Sequence, residues 1–574
     1  MRIARLQIEN FRNFHKLDLQ LSPATVIVGE NRTGKSNLIH AMRLVLDPSL
    51  SQNDRQLGRD DFWDGLSDGT DDWDPMQSGH IIEVSVELVD FEEELAVVAA
   101  LGDALTADNP LRARITYRYA PVSSSLDSAS RVPKYRSTIY GGGDLENQVP
   151  NDLRGYLHFT FLHALRNVED DIRNWRRSPL RRMLETVAKN ATEEELKIAK
   201  EAVSAANKSL REIKGIKTLG ETISNRTEEM VGEHQALDAS LAVAAQDPIR
   251  LIRTMRIFID GQAERPLSAA SLGTLNVLYF ALLELGLEGR LEAADIAHAV
   301  VAIEEPEAHL HPHLQRLIFR RILDGRGGQQ SVFISTQSPH IASVADPKSL
   351  VMLRSDGTRS VAACARDAEL TERAWDDISR YLDVTRAEIV FARKVLLVEG
   401  YAEAVLASRI AEASELDLDQ EGITVCAING THFLPYMKFC AALRIPWAIA
   451  TDGDLNASGT SQGKRRALRL LEHLGSQKSP EEEGIFVGNH TFEYDLAAAS
   501  EENLKNCIEV LTQLGGSNLR QLVQQWRGLP SYEVFMTAIE RTGGKGRFAQ
   551  RLASCRLSAP SYYAGALQHL RNHE

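Results

Sequence analysis

Cysteine is scarce: five residues in 574 (Cys364, Cys426, Cys440, Cys507 and Cys555), with no two in C-x-x-C spacing. So few scattered thiols exclude a disulfide scaffold and a zinc ribbon, and reduced thiols in a cytoplasmic protein are expected. No stretch approaches the roughly 18 uninterrupted apolar residues of a membrane span, so no membrane partner is expected. The opening MRIARLQIENFRNF has no apolar signal-peptide core and starts at once with a strand-like alternation. An excess of positive charge is missing too. The net charge of −14 argues against a surface coated for non-specific nucleic-acid binding, although local clusters matter more than the sum.

What remains is an ordinary soluble composition, 43% hydrophobic and 25% charged. The chain is too long for one core, and two to four domains are expected. No internal repeat is visible. Basic residues gather in three places: Arg173, Arg176, Arg177, Arg181 and Arg182; Lys464, Arg465, Arg466 and Arg469; and Arg541, Lys545, Arg547, Arg551 and Arg556. A basic run is usually a solvated helix face. The last two share the C-terminal half with an acidic constellation, which favours phosphate-backbone contacts and a DNA partner.

Residues 24–28 (ATVIV) read as a strand running into Gly29-Glu30-Asn31-Arg32-Thr33-Gly34-Lys35-Ser36 and the helical NLIHAMRLVL. Strand, loop and helix in this order make a P-loop. Its backbone N–H groups wrap phosphates at Gly29, Asn31, Gly34 and the helix start at Asn37, Lys35 reaches the β/γ oxygens, and Ser36 ligates Mg²⁺. ATP with one Mg²⁺ is the expected ligand. Downstream, AVVAIEEPEAHLHP ends a second apolar strand at Glu304-Glu305. The first acid of such a strand holds Mg²⁺ directly or through water.

The richest signal lies further on. KVLLVEGYAEA and WAIATDGD are apolar runs that end abruptly in acids, Glu399 and Glu403 after the first, Asp452 and Asp454 after the second. Such runs look like buried parallel strands, whose carboxyl ends carry the ligand site. Four carboxylates delivered to one spot repel one another unless divalent cations sit between them. Oxygen-only ligands favour Mg²⁺ or Mn²⁺, and a pair of such ions suits in-line phosphodiester cleavage.

The composite resembles the TOPRIM fold of topoisomerases, DnaG-type primases and the OLD (overcoming lysogenization defect) nucleases. The first half resembles ABC-type ATPases. In that class Glu305 would orient the attacking water. SVFISTQSPH matches the switch segment, with Gln337 in place of its usual histidine. Glutamine can bond a γ-phosphate but cannot carry a proton, which puts fast hydrolysis in doubt. Glu304 in place of aspartate is a second departure. PLSAASLGTLNVLYFALL resembles a degenerate signature with Ser271 and Gly273, a feature that acts across a dimer interface. His309, His311 and His313 fall in the segment resembling the D-loop, which crosses to a partner, and are not read as a metal site. IENFRNF resembles the opening turn of RecF, SMC and OLD ATPases, with Arg12 near the nucleotide.

An ABC-type ATPase interrupted by a helical insert and followed by TOPRIM is the OLD-family layout, shared with the nuclease subunit of Gabija phage-defence systems. The expected fold class is α/β: ATPase parts at 1–172 and 246–360, a helical dimerisation insert at 173–245, a connector at 361–392, and TOPRIM with a helical C-terminal part at 393–574. Residues 48–80 are expected to form a loop-rich lobe and residues 121–150 a mobile connection. Smaller echoes include TFEYDL and GGKGRFAQRLA. The resemblance makes Lys545 a stabiliser of transition-state charge and Glu493 a candidate for the second metal shell. It implies two Mg²⁺ or Mn²⁺ ions in the acidic site, a homodimer or higher homo-oligomer, and a helicase or other defence-system subunit as candidate partner. The implied activity is an ATP-regulated, metal-dependent DNA endonuclease or nickase. An SMC- or RecF-like DNA clamp without nuclease activity is the alternative, against which the lack of a long coiled coil speaks. A topoisomerase or primase would need a tyrosine nucleophile domain or a zinc module, neither of which is evident.

Overall fold

The computed structural model describes every residue except 68, 71–72, 109, 123–133, 164–171, 173–177, 232–246, 248–249, 251, 253–254, 260–264, 325–327, 383–385, 456–458 and 574. Arg173, Arg176 and Arg177 of the first basic cluster therefore lie outside the described residues.

The N-terminal strand β1 (Arg2–Phe11) alternates as its sequence does, burying Ile3, Leu6, Ile8 and Phe11. Period-two patterning of this kind places one face of a sheet on a core. It pairs antiparallel with β2 (Phe14–Gln20) and β4 (Ile82–Val89). Beyond β4 come β6 (Leu111–Pro121), β5 (Leu105–Asp108) and β7 (Tyr135–Gly141), the last two both on β6. Strand β7 corrects the expectation for residues 121–150. The run YRSTIYG is rich in Tyr, Thr and Ile, which suit a pleated edge, and it pairs with β6 along its whole length.

The second sheet has the order β14 (Ser360–Cys364), β13 (Leu350–Ser355), β3 (Ala24–Gly29), β12 (Gln330–Ser335), β11 (Ala299–Glu304) and β8 (Phe159–Leu162). All neighbours run parallel except β14 on β13. The P-loop, Glu304-Glu305 and the switch segment thus leave the carboxyl ends of β3, β11 and β12, side by side. Between β8 and this return lie helices Leu180–Asn190, Glu193–Arg211 and Lys214–Val231, and the short pair β9 (Phe258–Ile259) and β10 (Arg265–Pro266). Thr192 caps the second helix in a full capping box with Glu195. Val187, Ile198, Leu219, Ile223 and Met230 stand exposed on these helices, and Ile213 in the turn between the last two.

Helix Leu272–Glu292 is by length and composition long and apolar enough to cross a membrane. It instead packs Leu275, Tyr279, Phe280, Leu282 and Leu287 into the core under β11 and β12. It is a core helix.

The third sheet is all parallel, β16 (Ile423–Ala427), β15 (Lys394–Val398), β17 (Trp447–Thr451) and β18 (Ile485–Val487). Helices Tyr401–Ala413, Leu434–Ala442 and Gln462–Leu474 alternate with these strands, as the β/α pattern predicts. The rest, to Asn572, is helical.

Residues 361–392 are more than a tether. Trp375, Ile378, Leu382, Ile389 and Val390 are buried in one core with Val26 and Val28 of β3 and Val395 and Leu397 of β15. The turn Ala387–Phe391 touches both β3 and β16. Arg354 of β13 donates to the carbonyl of Ala392 at 2.8 Å. Trp375 meets the fully buried ring of Phe439 edge-on, 6.5 Å between centroids. Phe439→Ala should therefore cost about 3–5 kcal/mol, read in chemical unfolding. A loss well under ~1 kcal/mol would show that this junction is loosely packed.

Candidate functional site

The P-loop begins where β3 ends. Gly29 and Gly34 hold φ of 156° and 92°, and a Cβ on Gly34 would strike the Asn13 amide at 2.0 Å. Only glycine fits that position. Lys35 opens the helix Lys35–Leu46, and its ammonium donates to the carbonyls of Gly29 at 2.7 Å and Glu30 at 2.9 Å. Burial lowers its pKa against the pull of Glu305, Glu307 and Glu30. Burial raises the pKa of Glu304, while the Ser36 hydroxyl bonds it and pulls the other way. Ser36 and Glu304, taken from the sequence as Mg²⁺ ligands, are thus neighbours.

Gln337 closes the pocket. Its side-chain amide donates to Asn31 at 2.9 Å and to Glu305 at 2.7 Å. Its backbone N–H donates to Glu307 at 2.8 Å, and the Thr336 hydroxyl donates to the same carboxylate at 2.9 Å. Glu307 was not singled out from the sequence, although it follows the Glu-Glu pair by two residues. Burial raises its pKa. Arg12, at φ 50°, donates to Asp61 at 2.9 Å and to Asn37 at 2.8 Å. Ser271 caps the helix Leu272–Glu292 and is exposed. Gly273 lies under the His309 carbonyl, where a Cβ would come within 2.9 Å. The two segments expected to meet a partner are therefore adjacent.

The acidic residues converge at the carboxyl edge of the third sheet. Glu399 follows β15, and Glu403 lies in the first turn of helix Tyr401–Ala413. Asp452 and Asp454 follow the neighbouring strand β17. Glu493 comes from helix Phe492–Ala498, and Lys545 from the start of helix Lys545–Leu552, after Gly543 and Gly544 at φ 101° and 92°. Glycines also let the acidic loop close: a Cβ on Gly463 would fall 2.0 Å from the Asp452 carbonyl, and one on Gly453 2.3 Å from that of Asn489.

Glu399 Oε1 accepts from the Thr451 hydroxyl, the Asp452 N–H at 2.9 Å and Arg466 at 2.5 Å. Arg466 also reaches Asp454 Oδ2 at 3.1 Å. Lys545 meets Glu493 at 3.0 Å. Asp452 Oδ1 is buried without a hydrogen-bond partner. Burial, reinforced by Glu399, Glu403 and Glu493, pushes the Asp452 carboxyl up to about 9. Burial and the facing Glu493 and Glu399 push Glu403 up to about 7. Burial pulls Lys545 down, but Glu493, Asp452 and Glu403 outweigh it and its pKa is raised.

Among the described residues no three His, Cys, Asp or Glu side chains are arranged to hold a metal ion. The donor set nonetheless fits a hard divalent cation: all oxygen, with one carboxylate oxygen of Asp452 buried and orphaned, and two carboxyls whose ionisation burial and the neighbouring acids disfavour. Two of the five acids are turned onto Arg466 and one onto Lys545. Arg466 is the residue missed by sequence reading, which placed it only in a basic helix.

Residues 390–454 match the OLD-like TOPRIM domain family. Residues 24–343, more than half the chain, match the family described as AAA domain, putative AbiEii toxin, Type IV TA system. The C-terminal region of the Burkholderia pseudomallei OLD protein is 32% identical, over 98% of that chain and 32% of this one, with a TM-score of 0.29. The chain belongs to the OLD family. Other relatives span about four fifths of the length. The OLD nuclease of Thermus scotoductus is 26% identical over 79% of this chain and 82% of its own. Endonuclease GajA of Bacillus cereus is 23% identical over 84% of this chain and 80% of its own. An AAA-type ATPase half and an OLD-like TOPRIM half are thus both present, in the expected order.

A carboxyl whose pKa is higher folded than unfolded stabilises the fold below its unfolded value, and that contribution is lost as pH rises through the folded value. For Asp452 and Glu403 the loss runs from the ordinary carboxyl range near ~4 to about 7 for Glu403 and about 9 for Asp452. In EDTA this OLD-family protein should melt at falling temperature across that window, and Mg²⁺ or Mn²⁺ should flatten the slope by favouring the ionised carboxylates. Identical slopes with and without cation would show that the acids ionise unaided.

Proposed function

We propose that this OLD-family nuclease is an ATP-binding, divalent-metal-dependent DNA endonuclease or nickase that cuts at the acidic site. One observation carries the reading: Glu399, Glu403, Asp452, Asp454 and Glu493 converge from separate elements at one sheet edge, with Lys545 beside them. Glu399, Glu403, Asp452, Asp454 and Glu493 would hold two Mg²⁺ or Mn²⁺ ions, and Ser36 and Glu304 one more with ATP. Ions bound there supply the Lewis acidity for in-line phosphodiester hydrolysis. Lys545 places its ammonium where negative charge develops in the transition state. Lys464, Arg465 and Arg469, exposed on the helix beside Asp452, and Arg541, Arg547 and Arg551, exposed around Lys545, give a DNA backbone its phosphate partners.

The ATPase half regulates. Gly29, Asn31, Gly34, Lys35 and Asn37 cradle the nucleotide, Gln337 and Glu305 face its γ-phosphate, and Arg12 braces Asn37. Ser271 and Gly273 act on the nucleotide of a second copy, so the working unit is at least a homodimer, joined also through the exposed apolar positions of the helical insert. A role in phage defence, with a helicase or other system subunit as partner, rests on the family resemblance.

Glu399→Ala and Asp452→Ala should each abolish nicking of supercoiled plasmid in Mg²⁺ or Mn²⁺ while ATP binding stays intact. Wild-type nicking in either variant would sink the assignment. Lys545→Ala should slow cleavage on the order of a hundredfold, as loss of a transition-state donor does, with DNA affinity nearly unchanged. Normal cleavage with weaker DNA binding would instead make Lys545 a backbone contact.

A further inference from the structure

Five carboxyls crowded at one edge call for cations or protons among them, and the chain supplies two cations of its own. One is Lys545, half exposed on Glu493. The other is Arg466, and its placement is unusual. The two arms of its guanidinium divide between carboxylates from different strands, one on Glu399 after β15 and one on Asp454 after β17. The first arm also takes the Thr451 hydroxyl.

This placement is built by the backbone. The Ser461 hydroxyl donates to the Gly453 carbonyl at 2.6 Å and caps the helix Gln462–Leu474. Gly463 sits flat against the Asp452 carbonyl, so the helix begins directly on the acidic loop. One turn in, Arg466 faces the acids, while its neighbours Lys464 and Arg465 face outward. The Arg466 side chain is 16% exposed and Glu399 15%; the pair is sheltered but borders solvent, and a long arginine stem can leave such a position without moving the helix.

The acids that Arg466 joins are two of those assigned above to the metal, and the inference rests on that assignment. We infer that Arg466 is a built-in counter-cation that occupies the Glu399–Asp454 part of the acidic site and must be displaced when a divalent ion enters. It competes for the same oxygens as the ion. Its departure frees Glu399 and Asp454 together, because one guanidinium holds both. Metal affinity is therefore set by an internal competitor as well as by the ligands. Once displaced, the guanidinium joins Lys464, Arg465 and Arg469 on the face that a phosphate backbone would follow.

Mn²⁺ binding to the full chain, followed by the electron paramagnetic resonance of free Mn²⁺ or by calorimetry, tests this without any turnover. Arg466→Gln should bind Mn²⁺ about ten- to a hundredfold more tightly than wild type, the range set by one to two lost charge-assisted hydrogen bonds. The same variant should melt lower than wild type in EDTA and gain more from added Mn²⁺. Arg466→Lys keeps the charge but cannot span two carboxylates, and its affinity should fall between the two. If the glutamine variant fails to fold, the lysine variant alone decides, binding tighter than wild type or not. Equal or weaker Mn²⁺ binding in the variants, with wild-type binding abolished by Asp452→Ala, would overturn the competitor role and leave the metal assignment standing. Absence of Asp452-dependent Mn²⁺ binding in wild type and variants alike would overturn the metal assignment and the inference with it.

Discussion

Like charge crowded at the end of a parallel sheet is the constraint on which the C-terminal half is built. Parallel strands end together, so acids placed just after β15 and β17 necessarily meet. Water cannot relieve them, since Glu403, Asp452 and Glu493 are buried. Relief must come from cations or from protons. The fold uses an arginine from the next helix, a lysine from the helical C-terminal part, and carboxyls whose proton affinity is raised by burial and by one another. On the proposed reading the arginine is the group that would give way to a divalent ion, which would do the same work with a higher charge density.

The ATPase half meets a different problem with similar means. There the positive group is Lys35, folded back onto the P-loop carbonyls, and the acids that act on it are Glu305 and Glu307, just after β11, and Glu30. Gln337 ties Asn31 to Glu305 through one amide. A γ-phosphate arriving at Gln337 would compete for the same hydrogens, which gives the switch segment something to exchange. With no imidazole in this position, the side chain offers hydrogen bonds but no titrating proton.

Much of this was legible in the sequence because local pattern and tertiary role coincide. The TOPRIM strands are apolar runs bounded by turn residues, and strand 485–487 and helix 401–413 lie where periodicity put them. The P-loop and the paired acids are legible because their chemistry demands fixed spacing. Arg466 was not legible. In sequence it is one of four basic residues on an amphipathic helix, and only the contact of Gly463 with the Asp452 carbonyl selects it from Lys464, Arg465 and Arg469. Strand β7 was obscured by the glycine run after it and by the Ser-rich segment before it. Glu307 reads as one more acid in an acidic stretch until the switch segment folds over it.

The core shared by β3, the turn Ala387–Phe391 and β15 has a mechanical consequence. A flexible linker would let the nuclease half wander, and nucleotide could affect it only by changing how often it visits a place. A close-packed wedge is nearly incompressible. A shift of the strand that carries the P-loop would therefore be felt, through this shared core, at β15, the strand that Glu399 follows. The wedge makes the two halves parts of one lever.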